Sequence, residues 1–118
     1  MPVEVRDLPV FARRLRFLRE RAGLTQRELG RRIGMQGNAA SPRINQYESG
    51  THVPRLETAQ ALAKELKVPV AYLFADGERL ARMILAYSQL SATEQEAILR
   101  EIERGDRAVP AAAAGKAQ

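Results

Sequence analysis

Four polar side chains crowd one short segment: Ser41, Arg43, Asn45 and Gln46, set around the apolar pair Ile44 and Tyr47. These residue types suit hydrogen bonding to base edges. A guanidinium can pair bidentately with guanine O6 and N7, and a carboxamide with adenine N6 and N7. Ile44 and Tyr47 lie one helical turn apart, so they can anchor the inner face of a short helix. At 100° per residue the four polar groups spread around the remaining surface, and not all of them can face one groove. The bland alternative is a polar face that is only solvated.

Local signals place that segment on a helix from about Pro42 to Glu48. Ser41 suits an N-cap, Pro42 loses no hydrogen bond at the first helical position, and Gly50 ends the element. A helix that precedes it starts at the capping box Thr25-Gln26-Arg27-Glu28, carries Leu29 and Ile33 on one face, and stops at Gly34. Between the two runs a turn, Met35 to Ala40, which contains Gly37 and Asn38. Two short helices joined in this way suit insertion of the second into the major groove of DNA.

The flanking segments supply a scaffold. From about Leu8 to Ala22, Phe11, Leu15, Leu18 and Ala22 repeat at i, i+4, i+7 and i+11, while Arg13, Arg14, Arg16, Arg19 and Arg21 fill other positions. A helix over about 55–66 turns Leu56, Ala59, Leu62, Ala63 and Leu66 inward. Pro69 opens a short fifth helix with Val70, Leu73 and Phe74. Two further amphipathic helices are expected at 78–90 and, after the capping box Ser91-Ala92-Thr93-Glu94, at 92–104. Residues 1–7 are expected to be flexible. The tail AVPAAAAGKAQ is low in complexity and is expected to be disordered.

Composition narrows the function classes. Apolar residues make up 45% and aromatics 5%, so the core must consist mainly of Leu, Ile, Val and Ala. Cysteine is absent and His52 is the single histidine, which excludes disulfides and a multi-histidine metal site. No apolar run approaches the ~20 residues that span a bilayer, and no secretory h-region is visible, so a cytoplasmic protein without membrane partners is expected. The net charge of +5 is uneven: residues 1–55 carry 11 arginines against 5 acids, whereas 56–118 carry 8 basic residues against 9 acids. The basic half contains the helix pair. It suits a polyanion, and taken alone it suits a solubilising surface as well. No Ser/His/Asp set, Gly-rich phosphate loop or metal cluster is visible, so neither an enzyme nor a cofactor is expected.

The ordered series Gly23-Leu24-Thr25-Gln26, Ile44, Tyr47-Glu48-x-Gly50, Pro54 and Leu66-x-Val68-Pro69 resembles the phage-repressor-like (Cro/C1, XRE-type) helix-turn-helix regulators over about residues 9–75. The resemblance implies an all-α fold with a five-helix DNA-binding domain at 8–76; the two-helix extension at 77–105 and the tail at 106–118, read from the residues, lie outside it. It implies double-stranded DNA as partner, with Ser41, Arg43 and Gln46 favoured to face bases and Asn45 as a fourth candidate. Gln26, Thr51, His52 and Arg55 are implied near phosphates. Arg19 and Glu48 are implied as a partly buried structural salt bridge. One departure stands out. Eleven residues, 36–46, separate Met35 from Tyr47 where such regulators typically have seven, and the extra four fall within 36–40. The stretch Asn38-Ala39-Ala40 thereby becomes a further candidate for DNA contact.

The expected function is a sequence-specific transcriptional regulator, a dimeric repressor in which the apolar faces of the two extra helices pair between chains. The competing expectation is an antitoxin-type or adaptor protein whose C-terminal helices hold a protein partner. Operator, regulated gene and effector are not legible in the chain.

Overall fold

The computed structural model describes residues 8–105. The expectations for 1–7 and 106–118 lie outside the described residues. Among those described, the elements are α1 (Val10–Arg21), α2 (Gln26–Arg32), α3 (Ala40–Glu48), α4 (Leu56–Glu65), α5 (Val70–Phe74), α6 (Glu78–Ser88) and α7 (Ala92–Arg104), with one 3-10 turn, Gly37–Ala39, and no strand. The fold class is all-α, as the helical periodicities require.

Local chemistry sets most helix ends. Both expected capping boxes form: the Thr25 hydroxyl accepts from the Glu28 amide at 3.0 Å, and the Thr25 amide donates back to Glu28 Oε1 at 2.8 Å. Ser91 and Glu94 repeat the exchange ahead of α7. Each box satisfies two amides that the helix itself leaves without partners. The Thr25 backbone amide, and then its hydroxyl, hold the Glu28 carboxyl below its ordinary range. α4 ends in a Schellman motif, with the Val68 amide on Ala63 O at 3.0 Å and the Lys67 amide on Lys64 O at 3.2 Å. Lys67 adopts φ +62°, a left-handed conformation that glycine usually supplies at this position.

The chain divides into two compact units between Leu85 and Ala86, a point within α6. In the first unit, Phe11, Leu15, Leu18, Leu29, Ile44, Tyr47, Leu62 and Leu73 form the core together with small Ala59 and Ala63. Leu15, Leu29, Ile44, Leu62 and Leu73 are fully buried. Each such side chain contributes about 1.5–3 kcal/mol of transfer free energy. Ala81 of α6 is also buried, and Ile84 and Leu85 pack on the same cluster. The first unit therefore continues past residue 76, where the resemblance to known regulators ends the DNA-binding domain.

In the second unit, Gln95 of α7 donates to Tyr87 O at 2.9 Å across the 88–91 turn. Ile98 and Leu99 remain 40% and 36% exposed, so α7 lacks a full cover for its apolar face among the described residues.

Several expectations are corrected. α3 starts at Ala40 rather than Pro42, and Ser41 is not its N-cap: that position is Ala39, with no side-chain cap bond. Pro42 still loses nothing, because the first turn of a helix has no internal acceptors for its amides. Leu56 is 58% exposed. It lies on the inward stripe of α4 but at its first residue, beyond the reach of the core. Phe74 is half-exposed, covered only on the side where its ring meets Phe11 at 5.1 Å.

Arg14, which the periodicity sets off the apolar repeat, is buried. Its Nε and Nη2 donate to Ala75 O at 2.9 and 2.7 Å, and its guanidinium lies 5.0 Å from the Tyr72 ring centroid. It ties α1 to the backbone between α5 and α6.

Candidate nucleic-acid interface

α3 is fixed from its inner face. Ile44, Tyr47 and Glu48 are buried, so the opposite face must point out. Its N-terminal end is set by a close approach to α2. A Cβ built on Gly30 would lie 2.7 Å from Ala40 Cβ and 3.0 Å from Ala40 Cα, so only glycine fits this crossing without a shift. The C-terminal end is set by Gly50, at φ +79°, where a Cβ would strike Pro9 Cδ at 2.8 Å.

A chain of polar contacts brackets the same helix. Arg19 of α1 grips Glu48 bidentately, Nε to Oε2 at 2.5 Å and Nη2 to Oε1 at 3.0 Å, while Nη1 donates to Leu24 O at 2.8 Å. The hydrogen bond to the Glu48 carboxylate raises the Arg19 pKa above its ordinary value. Gln26 Nε2 donates to Glu48 Oε1 at 3.1 Å and to Asn45 Oδ1 at 3.2 Å. The first residue of α2 is thereby bonded to the middle of α3. Asn45 has one lone-pair direction occupied and keeps its amide N–H groups available.

The remaining candidates sort by position. Arg43 and Asn45 are exposed; Ser41 and Gln46 are half-buried. Two open clefts flank α3. Arg43, Gln46, His52 and Arg55 line one, together with Val53 and Thr58. Gln26 and Asn45 line the other, together with Arg16 and Ser49. Ser41 and Thr51 line neither cleft. Thr51 instead pairs with Ser49, hydroxyl to hydroxyl at 2.8 Å, and the His52 amide donates to Gln46 O at 3.2 Å. These bonds hold the 49–52 loop against the end of α3.

Arg16 and Ser49 were not singled out from the sequence. Arg16 lies three residues before Arg19 on α1, so the spacing that placed Arg19 beside α3 also placed Arg16 nearby.

The exposed donors and acceptors of α3 thus stand between a cleft that carries Arg43, His52 and Arg55 and one that carries Arg16 and the Arg19–Glu48 pair. Residues 15–73 match the helix-turn-helix family. The chain belongs to that family. It is 34% identical, over 94 residues, to the cryptic phage CTXphi transcriptional repressor RstR of Vibrio cholerae, a match that covers 75% of this chain and 81% of that protein. It is also similar to the crystal structure of the transcriptional regulator BswR, with 40% identity and a TM-score of 0.73 over 80% of this chain and 93% of the other. The protein is thus a DNA-binding transcriptional regulator of the Cro/C1 (XRE) helix-turn-helix type. Among the described residues of this regulator, no helix is long and apolar enough to cross a membrane, and no group of three His, Cys, Asp or Glu side chains could hold a metal ion.

Proposed function

We propose that this regulator is a sequence-specific repressor that lays α3 in the major groove, reads bases with Arg43 and Gln46, and binds as a homodimer. The observation that carries the reading is the outward face of α3. It presents Arg43, Asn45 and Gln46 from a helix whose inner face is locked by Ile44, Tyr47 and the Arg19–Glu48 pair. Arg43 is the bidentate candidate for guanine. Asn45 accepts from Gln26 with one lone pair of its amide oxygen and keeps its N–H groups and the second lone pair for a base edge. Ser41 is the fourth base-facing position. Gln26 and Arg16 on one side, with Thr51, His52 and Arg55 on the other, serve as phosphate contacts. These groups fix register and carry no sequence information.

Selection of bound sequences from a random duplex library tests specificity. The wild-type protein should enrich one motif. Arg43→Ala should relax one position of it, with a loss of about 1–3 kcal/mol against the preferred base. Arg55→Ala should weaken all duplexes alike and reduce the salt slope by about 0.9. Uniform, salt-labile binding with no enriched motif would overturn the specific-regulator reading.

The dimer proposal rests on apolar surface in each unit. Leu80 and Met83, one turn apart on α6, are 56% and 52% exposed, and Ile98 and Leu99 stand out on α7. A dimer of such domains would read half-sites about 34 Å apart. In sedimentation velocity, Met83→Glu and Ile98→Glu should shift the full chain from dimer to monomer. An unchanged sedimentation coefficient for both variants would place the interface elsewhere. The antitoxin or adaptor alternative gains no support from the relatives, which are named as a transcriptional repressor and a transcriptional regulator.

A further inference from the structure

The lengthened segment between α2 and α3 is not a slack loop. Its 3-10 turn, Gly37–Ala39, runs directly into Ala40, which is itself helical at φ −61°, ψ −55°. Gly37 enters the turn at φ +61°, so the right-handed path begins after it and extends α3 at its N-terminal end, the end that faces base edges in helix-turn-helix proteins. Ala40, the last residue of this stretch, is excluded from any DNA contact because it is buried against Gly30. Asn38 is exposed, and neither its amide oxygen nor its nitrogen is engaged within the described residues.

Helical spacing puts Asn38 in line with positions that matter. Residues 38, 42, 45 and 49 follow i, i+4, i+7 and i+11, so they form one stripe along the continuous helical path. Pro42, Asn45 and Ser49 of that stripe are all exposed. Asn45 of that stripe is one of the candidate base contacts, whereas Pro42 between it and Asn38 carries neither donor nor acceptor in its side chain. Asn38 stands one turn further out on the same side, with both. The rise is about 1.5–2.0 Å per residue, so Asn38 reaches roughly 4.5–6 Å beyond Ser41, about one to two base-pair steps of 3.4 Å.

We infer that Asn38 is a specificity-determining residue, which reads an adenine beyond the bases contacted by Arg43 and Gln46. A carboxamide both donates to adenine N6's partner edge position N7 and accepts from N6, the one bidentate pairing available to asparagine. The inference rests on the proposal that α3 enters the major groove.

The test is selection from a random duplex library with the wild-type chain, Asn38→Ala and Asn38→Asp, each checked by thermal melting. The exposed site predicts unchanged melting temperatures. The wild-type motif should contain an adenine one or two base pairs beyond the rest of the half-site. Asn38→Ala should lose that preference alone, by roughly 5- to 150-fold. Asn38→Asp, which can only accept, should move the preference towards cytosine. A wild-type motif that both variants reproduce at every position would overturn the inference and leave the groove-insertion proposal intact. Failure of the wild-type chain to enrich any motif would overturn both. Loss spread evenly over all positions, with a lower melting temperature, would show a structural role and also overturn it.

Discussion

Arg19→Ala should lower the melting temperature by roughly 12–24 °C, whereas Arg13→Ala should lower it by only a degree or two. The reason is what each variant leaves behind. The Arg19 side chain is 13% exposed and that of Glu48 4%. Removal of the guanidinium strands a buried carboxylate, which costs about 3–5 kcal/mol in pairs of this kind. Gln26 still donates to Glu48 Oε1, so the lower end, about 3 kcal/mol, is expected. A domain of this size loses about 4–8 °C per kcal/mol. Arg13 makes one side-chain bond, to Leu8 O at 3.1 Å, and strands no charge.

A double variant, Arg19→Met with Glu48→Leu, should melt above Arg19→Ala, because an apolar pair of similar volume leaves no orphan charge. Equal melting temperatures for Arg19→Ala and Arg13→Ala, measured by circular dichroism, would remove the basis for a structural role of the pair.

The features of the fold that were legible in the sequence are those set by neighbours in the chain. The capping boxes at Thr25 and Ser91 need residues three apart, and both are present as read. The inward stripes of α1 and α4 need only helical spacing, and Leu15, Leu18, Leu62 and Ala63 follow it. Misreadings occur where a distant partner decides. Ser41-Pro42 obeys a local start rule, yet α3 begins earlier because Ala40 is packed against Gly30 ten residues back. Arg14 obeys the polar side of a periodic pattern, yet it is buried by a carbonyl 61 residues away. No local count of apolar positions reveals an arginine whose acceptor is another element's backbone.

The candidate site divides along the same line. Arg43, Asn45 and Gln46 were visible as polar positions between two anchors. The bond that orients the Asn45 amide crosses from α2 and is seen only in the fold. So is the helical turn that leads from Asn38 into α3, since Gly37 and Asn38 read locally as turn residues.

The Gly30–Ala40 crossing leads to the second large effect, this one on function. Gly30→Ala should reduce operator affinity at least tenfold while most helical signal is retained. Helix propensity alone favours alanine by about 1 kcal/mol, so an unobstructed site would be stabilised. This site is obstructed. The new methyl carbon would lie 2.7 Å from Ala40 Cβ, 3.0 Å from Ala40 Cα and 3.1 Å from Ala40 O. Carbon atoms pack at about 3.5–4.0 Å, and none of the three atoms can rotate away. The strain must therefore be relieved by moving the start of α3 away from α2, on the order of 1 Å. Hydrogen bonds to bases tolerate only a few tenths of an ångström in donor–acceptor distance, so the shift acts on Ser41 and Arg43 before it acts on the core. Overpacking of this type costs about 1–3 kcal/mol, which outweighs the propensity gain. In the Gly30→Ala background, Ala40→Gly removes the shortest of the three contacts and should restore part of the lost affinity, though not all, because Ala40 Cα and O stay close. Fluorescence anisotropy on the selected half-site, run beside thermal melting, separates the two effects. A Gly30→Ala protein that melts higher than wild type and binds equally well would mean that α2 and α3 can part without disturbing the reading face, and that the close crossing does not set the position of α3.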